Sequence, residues 1–186
     1  MNDNAVVPIA ARTVKDLGPF LIATTEDTLT LVLEAVNVVI QIDDGKWLNP
    51  ELAQVLTQAV LEVWTRNIKG QLFSPSLRYP YLFSFIDPIT LSVLDDLLSD
   101  LARSPAPGVY QTVVSQSLPI LSRALTQAPT SESWIASSAI DLVSSLARGG
   151  TKGNLGDGFF GTFAPNLFAC LEQTGDQDIL EVCGSQ

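Results

Sequence analysis

A stretch that occurs twice decides the fold: Leu94-Asp-Asp-Leu-Leu-Ser-Asp-Leu-Ala-Arg103, and again Ala139-Ile-Asp-Leu-Val-Ser-Ser-Leu-Ala-Arg148. The two copies agree at six of ten positions at an offset of 45 residues. A second pattern, Pro-x-Leu-x-x-small-Leu, fits both Pro119–Leu125 and Pro165–Leu171 at an offset of 46 residues. Two alternating segments that recur together indicate a repeating unit of two segments.

Both segments have helical character. Apolar residues recur at helical spacing, as in the run of Leu29, Val32, Leu33, Val36, Val39 and Ile40. Side-chain acceptors lead the predicted helices at Asn49-Pro50, Asp87-Pro88 and Thr25, while Gly45, Gly70, residues 104–108 and Gly149-Gly150 end them. The predicted helices are 4–23, 25–42, 50–69, 88–103, 109–127, 131–148, 155–173 and an incomplete one from Asp176.

A helix pair that repeats every ~40–47 residues is typical of HEAT and armadillo solenoids, in which each pair buries its apolar face on its neighbours. The sequence therefore predicts an all-α superhelix of about four helix pairs forming a single segment. The repeats are expected at 4–44, 49–103, 108–148 and 154–186, the last incomplete. Pro119 and Pro165 are expected to bend their helices, which favours HEAT. An irregular helical bundle with chance matches is the alternative.

One stretch breaks this period. Val55–Val60 matches Ile120–Leu125 at an offset of 65 residues, and removing the 17 residues Gly70–Ile86 reduces the offset to 48. These 17 residues include five of the 14 aromatic residues and show no helical period. We interpret Gly70–Ile86 as an insertion: an aromatic binding loop, a tolerated insertion or a translated intron.

Composition restricts the classes of partner and chemistry. The net charge of −10 and the absence of a Lys/Arg cluster argue against nucleic acid and anionic membranes and favour basic proteins. Two cysteines, Cys170 and Cys183, are expected to be thiols in a reducing compartment. The amino-terminal segment lacks a secretory signal pattern, and the longest apolar run, Leu29–Ile40, is too short to span a membrane.

No motif predicts catalysis or a cofactor. The chain has no His, the commonest general base and metal ligand. Gly156-Asp-Gly-Phe-Phe-Gly161 fits the glycine pattern of dinucleotide-binding loops but follows no predicted strand. Asp95, Asp96 and Asp100 are expected on a solvated helix face. We therefore expect no enzyme, cofactor, metal site or catalytic residue.

Charge is distributed unevenly between the helices of each pair. The second helices are acidic, and the first helices hold most of the cations. Second helices line the concave surface of a HEAT array, so their carboxylates would face a bound partner. The candidate partner-facing residues are Glu34, Asn37, Asp95, Asp96 and Asp141. The alternative is that this acidic stripe serves only solubility.

The chain resembles the central HEAT repeats of the importin-β (karyopherin-β) family of nuclear transport receptors, closest to its importin-9 branch. The resemblance is carried by the run from Thr25 through Val38, by Pro88–Leu101, by Ala139–Leu142 and by Gln173–Asp176. It covers nearly the whole chain apart from Gly70–Ile86. Family members are several times longer, so the resemblance implies a central fragment of a receptor.

The resemblance implies a monomeric receptor that carries basic cargo, such as ribosomal proteins and histones, between cytoplasm and nucleus. Ran-GTP would control release, and Ran-GTP and nucleoporins would be partners of the full-length receptor. A HEAT-repeat scaffold subunit of a stable complex is the alternative. Binding to several basic proteins that weakens with salt would favour the receptor, and one partner retained at high salt would favour the scaffold.

Overall fold

The computed structural model describes residues 3–23, 26–72, 88–127, 133–150 and 156–173. These residues form the helices α1 (Asp3–Leu17), α2 (Phe20–Ala23), α3 (Glu26–Ile40), α4 (Pro50–Leu72), α5 (Pro88–Arg103), α6 (Val109–Gln127), α7 (Ser133–Gly149) and α8 (Gly156–Gln173). A 3-10 turn, Ile42–Gly45, follows α3. No strand occurs in these segments, which confirms the all-α prediction for them.

The predicted helix starts are visible at α4 and α5. The Asn49 Oδ1 accepts a hydrogen bond from the Leu52 N–H at 2.8 Å, and Pro50 is the first residue of α4. Pro88 likewise begins α5. The expected leading residues Asp87 and Thr25 lie outside the described residues, as do Cys183 and the incomplete helix from Asp176.

The prediction of one helix over 4–23 is wrong, because Gly18 and Pro19 interrupt it. Proline lacks the N–H that a helix needs and disfavours the helical conformation of the preceding residue. The Gly18 N–H still donates to the Val14 carbonyl at 2.9 Å, and the Leu21 N–H donates to the Gly18 carbonyl at 3.1 Å. The chain therefore turns between α1 and α2.

The helix predicted to run to Ile42 ends at Ile40, because the following residues turn the chain with positive φ. Asp43, Asp44 and Gly45 have φ values of 52°, 55° and 71°. The Ser104 hydroxyl donates to the Gly45 carbonyl at 2.8 Å and accepts from the Ala106 N–H at 3.2 Å. One serine thus fastens this turn to the loop that follows α5.

One glycine predicted to end a helix lies inside it instead, whereas α7 ends at the predicted pair Gly149-Gly150. Gly70 lies inside α4, which continues to Leu72, so the predicted insertion boundary is wrong by three residues. Residues 73–86 of the predicted insertion lie outside the described residues. Gly149 is the last residue of α7.

The helices pack as two rows. In row A, α5 lies between α3 and α7; in row B, α6 lies between α4 and α8. The rows contact each other through α4 with α5, α5 with α6 and α6 with α7, while α1 packs on α3 and α2 packs on both α3 and α4. The two copies of the repeated stretch lie side by side in α5 and α7, and the two copies of the proline pattern lie side by side in α6 and α8.

Apolar side chains from both rows form a continuous core. Fully buried members come from every described helix of row A and from α4 and α6 of row B, including Leu33, Leu97, Leu146, Val60, Val113 and Leu121. Each large aliphatic side chain contributes about 1.5–3 kcal/mol on complete burial. The shared core fixes the order of the helices and leaves one face of each row toward solvent.

Gly149 allows a close approach of α7 to α5. A Cβ atom at this position would lie 2.5 Å from the Ala102 Cβ and 2.9 Å from the Ala102 carbonyl carbon. The absence of a side chain therefore determines how closely the carboxyl-terminal ends of these two helices pack.

Candidate functional site

A groove of about 410 Å³ lies between α5 and α7 of row A. Its charged residues are Asp95 of α5 and Asp141 and Arg148 of α7. Asp141 and Arg148 are seven residues apart on one helix, so they lie on the same face two turns apart. The helix period of the two neighbours thus brings two of the predicted partner-facing residues, Asp95 and Asp141, to one groove.

Two tryptophans line the same groove. Trp134 comes from the first turns of α7 and is partly exposed. Trp64 comes from α4 of row B, is 2% exposed, and donates its indole N–H to the Ser138 hydroxyl at 2.9 Å. The buried indole therefore reaches through the core and fixes one wall of the groove.

Asp95 is held in place by a serine of the neighbouring helix. The Ser145 hydroxyl donates to the Asp95 Oδ1 at 2.6 Å, and Ser145 is buried. Burial is the main cause that raises the Asp95 pKa above its ordinary value of 3.8, and the nearby charges of Asp141 and Asp96 act in the same direction. The Ser145 hydrogen bond and the Arg148 charge oppose this rise.

Asp141 is in a similar electrostatic environment. Asp141 is more exposed than Asp95, but partial desolvation of its carboxyl group by the groove raises the pKa, and the charge of Arg148 acts in the opposite direction. In the described structure, no Arg148 nitrogen lies within 4.0 Å, the limit for an ion pair, of a carboxylate oxygen of Asp95 or Asp141. Two carboxylates thus share the groove with one guanidinium that pairs directly with neither.

The other predicted partner-facing residues lie elsewhere on row A. Asp96 is exposed on α5 and does not line the groove, and Glu34 is exposed on α3. Asn37 is half-buried, and its Oδ1 is enclosed without a hydrogen-bond partner in the described structure. The structure therefore brings Asp95 and Asp141 together in the groove, while Asp96, Glu34 and Asn37 do not line it.

Several contributors to this face were missed by the sequence reasoning. The groove walls include Trp64, Trp134, Ser138 and Ser145, and the bond between Trp64 and Ser138 joins residues 74 positions apart. On α3, Leu31 and Val38 are each 65% exposed. The spacing of Trp134 seven residues before Asp141 was the one local signal in the sequence.

The described residues offer little for covalent chemistry. No group of three or more metal-ligating side chains occurs among them, and none of their helices is long and apolar enough to cross a bilayer. Cys170 is a free, partly buried thiol whose pKa is raised by burial. A thiol with a raised pKa is a poor nucleophile at neutral pH.

Comparison of the chain with protein-family models, with curated proteins and with solved structures gave no match.

Proposed function

We propose that this chain is a segment of an importin-β-type nuclear import receptor that binds basic protein cargo through the solvent-exposed face of row A. The cargo class is basic proteins such as ribosomal proteins and histones. The proposal rests on the resemblance of the sequence and on the charges that the helices carry.

The observation that carries it is the segregation of charge between the rows. Row A helices contain seven acidic and two basic residues: Glu26, Asp27, Glu34, Asp95, Asp96, Asp100 and Asp141 against Arg103 and Arg148. The other described helices contain six acidic and five basic residues: Asp3, Asp16, Glu51, Glu62, Asp157 and Glu172 against Arg12, Lys15, Arg66, Lys69 and Arg123. A potential concentrated on one face attracts and orients a basic protein.

The spacing of contacts along the rows supports a HEAT-type array. Hydrogen bonds join α3, or Gln41 directly after it, to α5 and join α4 to α6, and the paired residues are 58 to 60 positions apart. Those from α5 to α7 and from α6 to α8 join residues 40 to 50 positions apart. A single repeat period, lengthened by the longer connection between α4 and α5, accounts for both groups of hydrogen bonds. In a HEAT-type array, row A would line the concave surface.

In the full-length receptor, Ran-GTP would control cargo release, nucleoporins would guide passage through the pore, and the protein would shuttle between cytoplasm and nucleus. The array would act as a monomer. These roles follow from the resemblance to the importin-β family.

The test is binding of the chain to a histone dimer and to two unrelated basic ribosomal proteins at 0.1 M and 0.5 M salt. We expect all three to bind at low salt and to lose about tenfold or more in affinity at high salt. The Debye length is ~10 Å at 0.1 M and falls with added salt, reaching ~3 Å at 1 M, so 0.5 M salt screens most of the attraction between exposed charges. Failure of all three to bind at low salt would contradict the proposal. A single partner retained at high salt would identify a scaffold subunit instead.

A further inference from the structure

We propose that the groove between α5 and α7 is a pocket for a single arginine side chain of the partner protein. The inference rests on the proposed function, because it assigns one contact within the binding face of row A. The proposed function assigns binding to the acidic surface of row A in general, whereas the pocket would bind one side chain at one defined position.

The first reason is charge. The groove contains two carboxylates, Asp95 and Asp141, and one cation, Arg148, so its own groups leave one negative charge unbalanced. Arg148 makes no ion pair within 4.0 Å of either carboxylate in the described structure. One additional cation in the groove would complete the balance.

The second reason is the shape and chemistry of the walls. A guanidinium is planar, is more weakly hydrated than an ammonium, stacks on aromatic faces and offers five N–H donors. Trp134 supplies a partly exposed indole, while Asp95 Oδ2, the Asp141 carboxylate and the hydroxyl of Ser137 supply acceptors. An ammonium is also attracted to an aromatic face, but it is a compact, more strongly hydrated charge with three donors, so it fits an aromatic wall with separated acceptors less well than a guanidinium does.

The third reason is that the groove is organised before a partner arrives. The Ser145 hydroxyl donates to the Asp95 carboxylate at 2.6 Å, and the Trp64 indole N–H donates to Ser138, another groove residue of α7, at 2.9 Å. A volume of about 410 Å³ lies within the ~300–1,000 Å³ range of small-molecule pockets. Binding therefore requires little ordering of the groove itself.

The three tryptophans of the chain provide the assay, since Trp64 and Trp134 line the groove and Trp47 does not. Nuclear magnetic resonance would follow the three indole N–H signals during titration with Nα-acetyl-arginine amide. The Trp134 and Trp64 signals are expected to shift with a dissociation constant of about 1 mM, as for a single side chain, while the Trp47 signal stays unchanged. The citrulline derivative, which has nearly the same shape without the charge, is expected to shift none of them.

Matched substitutions separate the pocket from general surface charge. Asp95→Asn and Asp141→Asn each remove one groove charge, and Glu172→Gln removes one from the exposed surface of α8, outside the groove and outside row A. We expect each groove variant to weaken arginine binding about tenfold and the Glu172 variant less than twofold. Circular dichroism of each variant would verify that the helices are retained.

Four results would overturn the pocket: no indole shift with the arginine derivative, equal shifts with the citrulline derivative, equal affinity for Nα-acetyl-lysine amide titrated in the same way, or equal weakening by all three variants. If any of these occurred while the histone dimer still bound in a salt-dependent manner, the pocket would be wrong and the proposed function would stand. If the arginine derivative bound but neither the histone dimer nor the ribosomal proteins did, the pocket would stand and the proposed function would be wrong.

Discussion

At the scale of single residues, Gly149 sets the distance between α5 and α7. Gly149→Ala would place a Cβ 2.5 Å from the Ala102 Cβ, so the helix ends must separate. We expect a loss of about 1–3 kcal/mol, the usual cost of overpacking. In a chain of this length that loss lowers the thermal midpoint by roughly 3–10 °C, which a melt would measure.

The matched control is Gly161→Ala, because Gly161 is a helical glycine of α8 at which an added Cβ would meet no atom within 4 Å. Alanine there should be neutral or stabilising by up to about 1 kcal/mol, since it has the higher helix propensity. Equal effects of the two substitutions would show that the contact with Ala102 does not limit packing.

The partly buried Asp95 makes a prediction about pH. Because the Asp95 pKa is raised in the folded state, the folded protein takes up a proton before the unfolded chain does as the pH falls toward 3.8. The carboxylate therefore destabilises the fold at pH 7, and this penalty disappears as the pH falls through the folded pKa toward 3.8.

Asp95→Asn removes the charge and leaves a carbonyl oxygen that can accept from Ser145. We expect the variant to melt about 1–2 °C above the parent at pH 7 and to lose this advantage near pH 4. Melts at several pH values would show the trend. A variant less stable than the parent at pH 7 would mean that the ionised carboxylate is needed for the Ser145 bond.

At the scale of helices, the spacing of apolar residues predicted where the helices lie, because that spacing is a local property of each helix. The repeat of about 45 residues predicted which helices are neighbours. The bounds of α5 and α6 are those predicted, and the matching stretches of α5 and α7 lie side by side. The predicted helix bounds were wrong where the local residue pattern did not determine where the helix ends. Pro19 breaks a segment with continuous helical spacing, and Gly70 continues a helix that glycine was expected to end.

The candidate site was predicted in part for the same reason. Asp95 and Asp141 were predicted because they are acidic residues of the second helices, which line the concave surface of a HEAT array. Trp64 and Ser138 were not, because they meet through a contact between helices of different rows, 74 residues apart. A pattern within one helix carries no information on which distant side chain will complete a groove.

The predicted insertion can be tested at this scale. Deleting residues 73–86, the part of the predicted insertion that follows the observed end of α4, joins Leu72 to Asp87 and keeps α4 at its full length. Since loop-closure entropy changes slowly with length, we expect a change in unfolding free energy under about 1 kcal/mol. A denaturant melt would measure it, and a loss of several kcal/mol or of helical circular dichroism would show that the segment belongs to the core.

At the scale of the whole molecule, the charge segregation between row A and the other helices is the basis of the proposed function. A net charge of −10 would by itself attract any basic protein, so total charge must be separated from its placement. Two variants distinguish the placement of charge from its total. Each neutralises four carboxylates, so both change the net charge by the same amount, but only one changes row A.

The most direct measurement is the affinity of a histone dimer, at 0.1 M salt, for these two charge-matched variants. The row A variant carries Glu34→Gln, Asp95→Asn, Asp96→Asn and Asp141→Asn; its control carries Asp16→Asn, Glu51→Gln, Glu62→Gln and Glu172→Gln on the other helices. With about 0.2–1 kcal/mol for each exposed pair, we predict about tenfold weaker binding for the row A variant and less than threefold for the control. Equal weakening by the two variants, or unchanged binding of the row A variant, would contradict a cargo-binding face on row A.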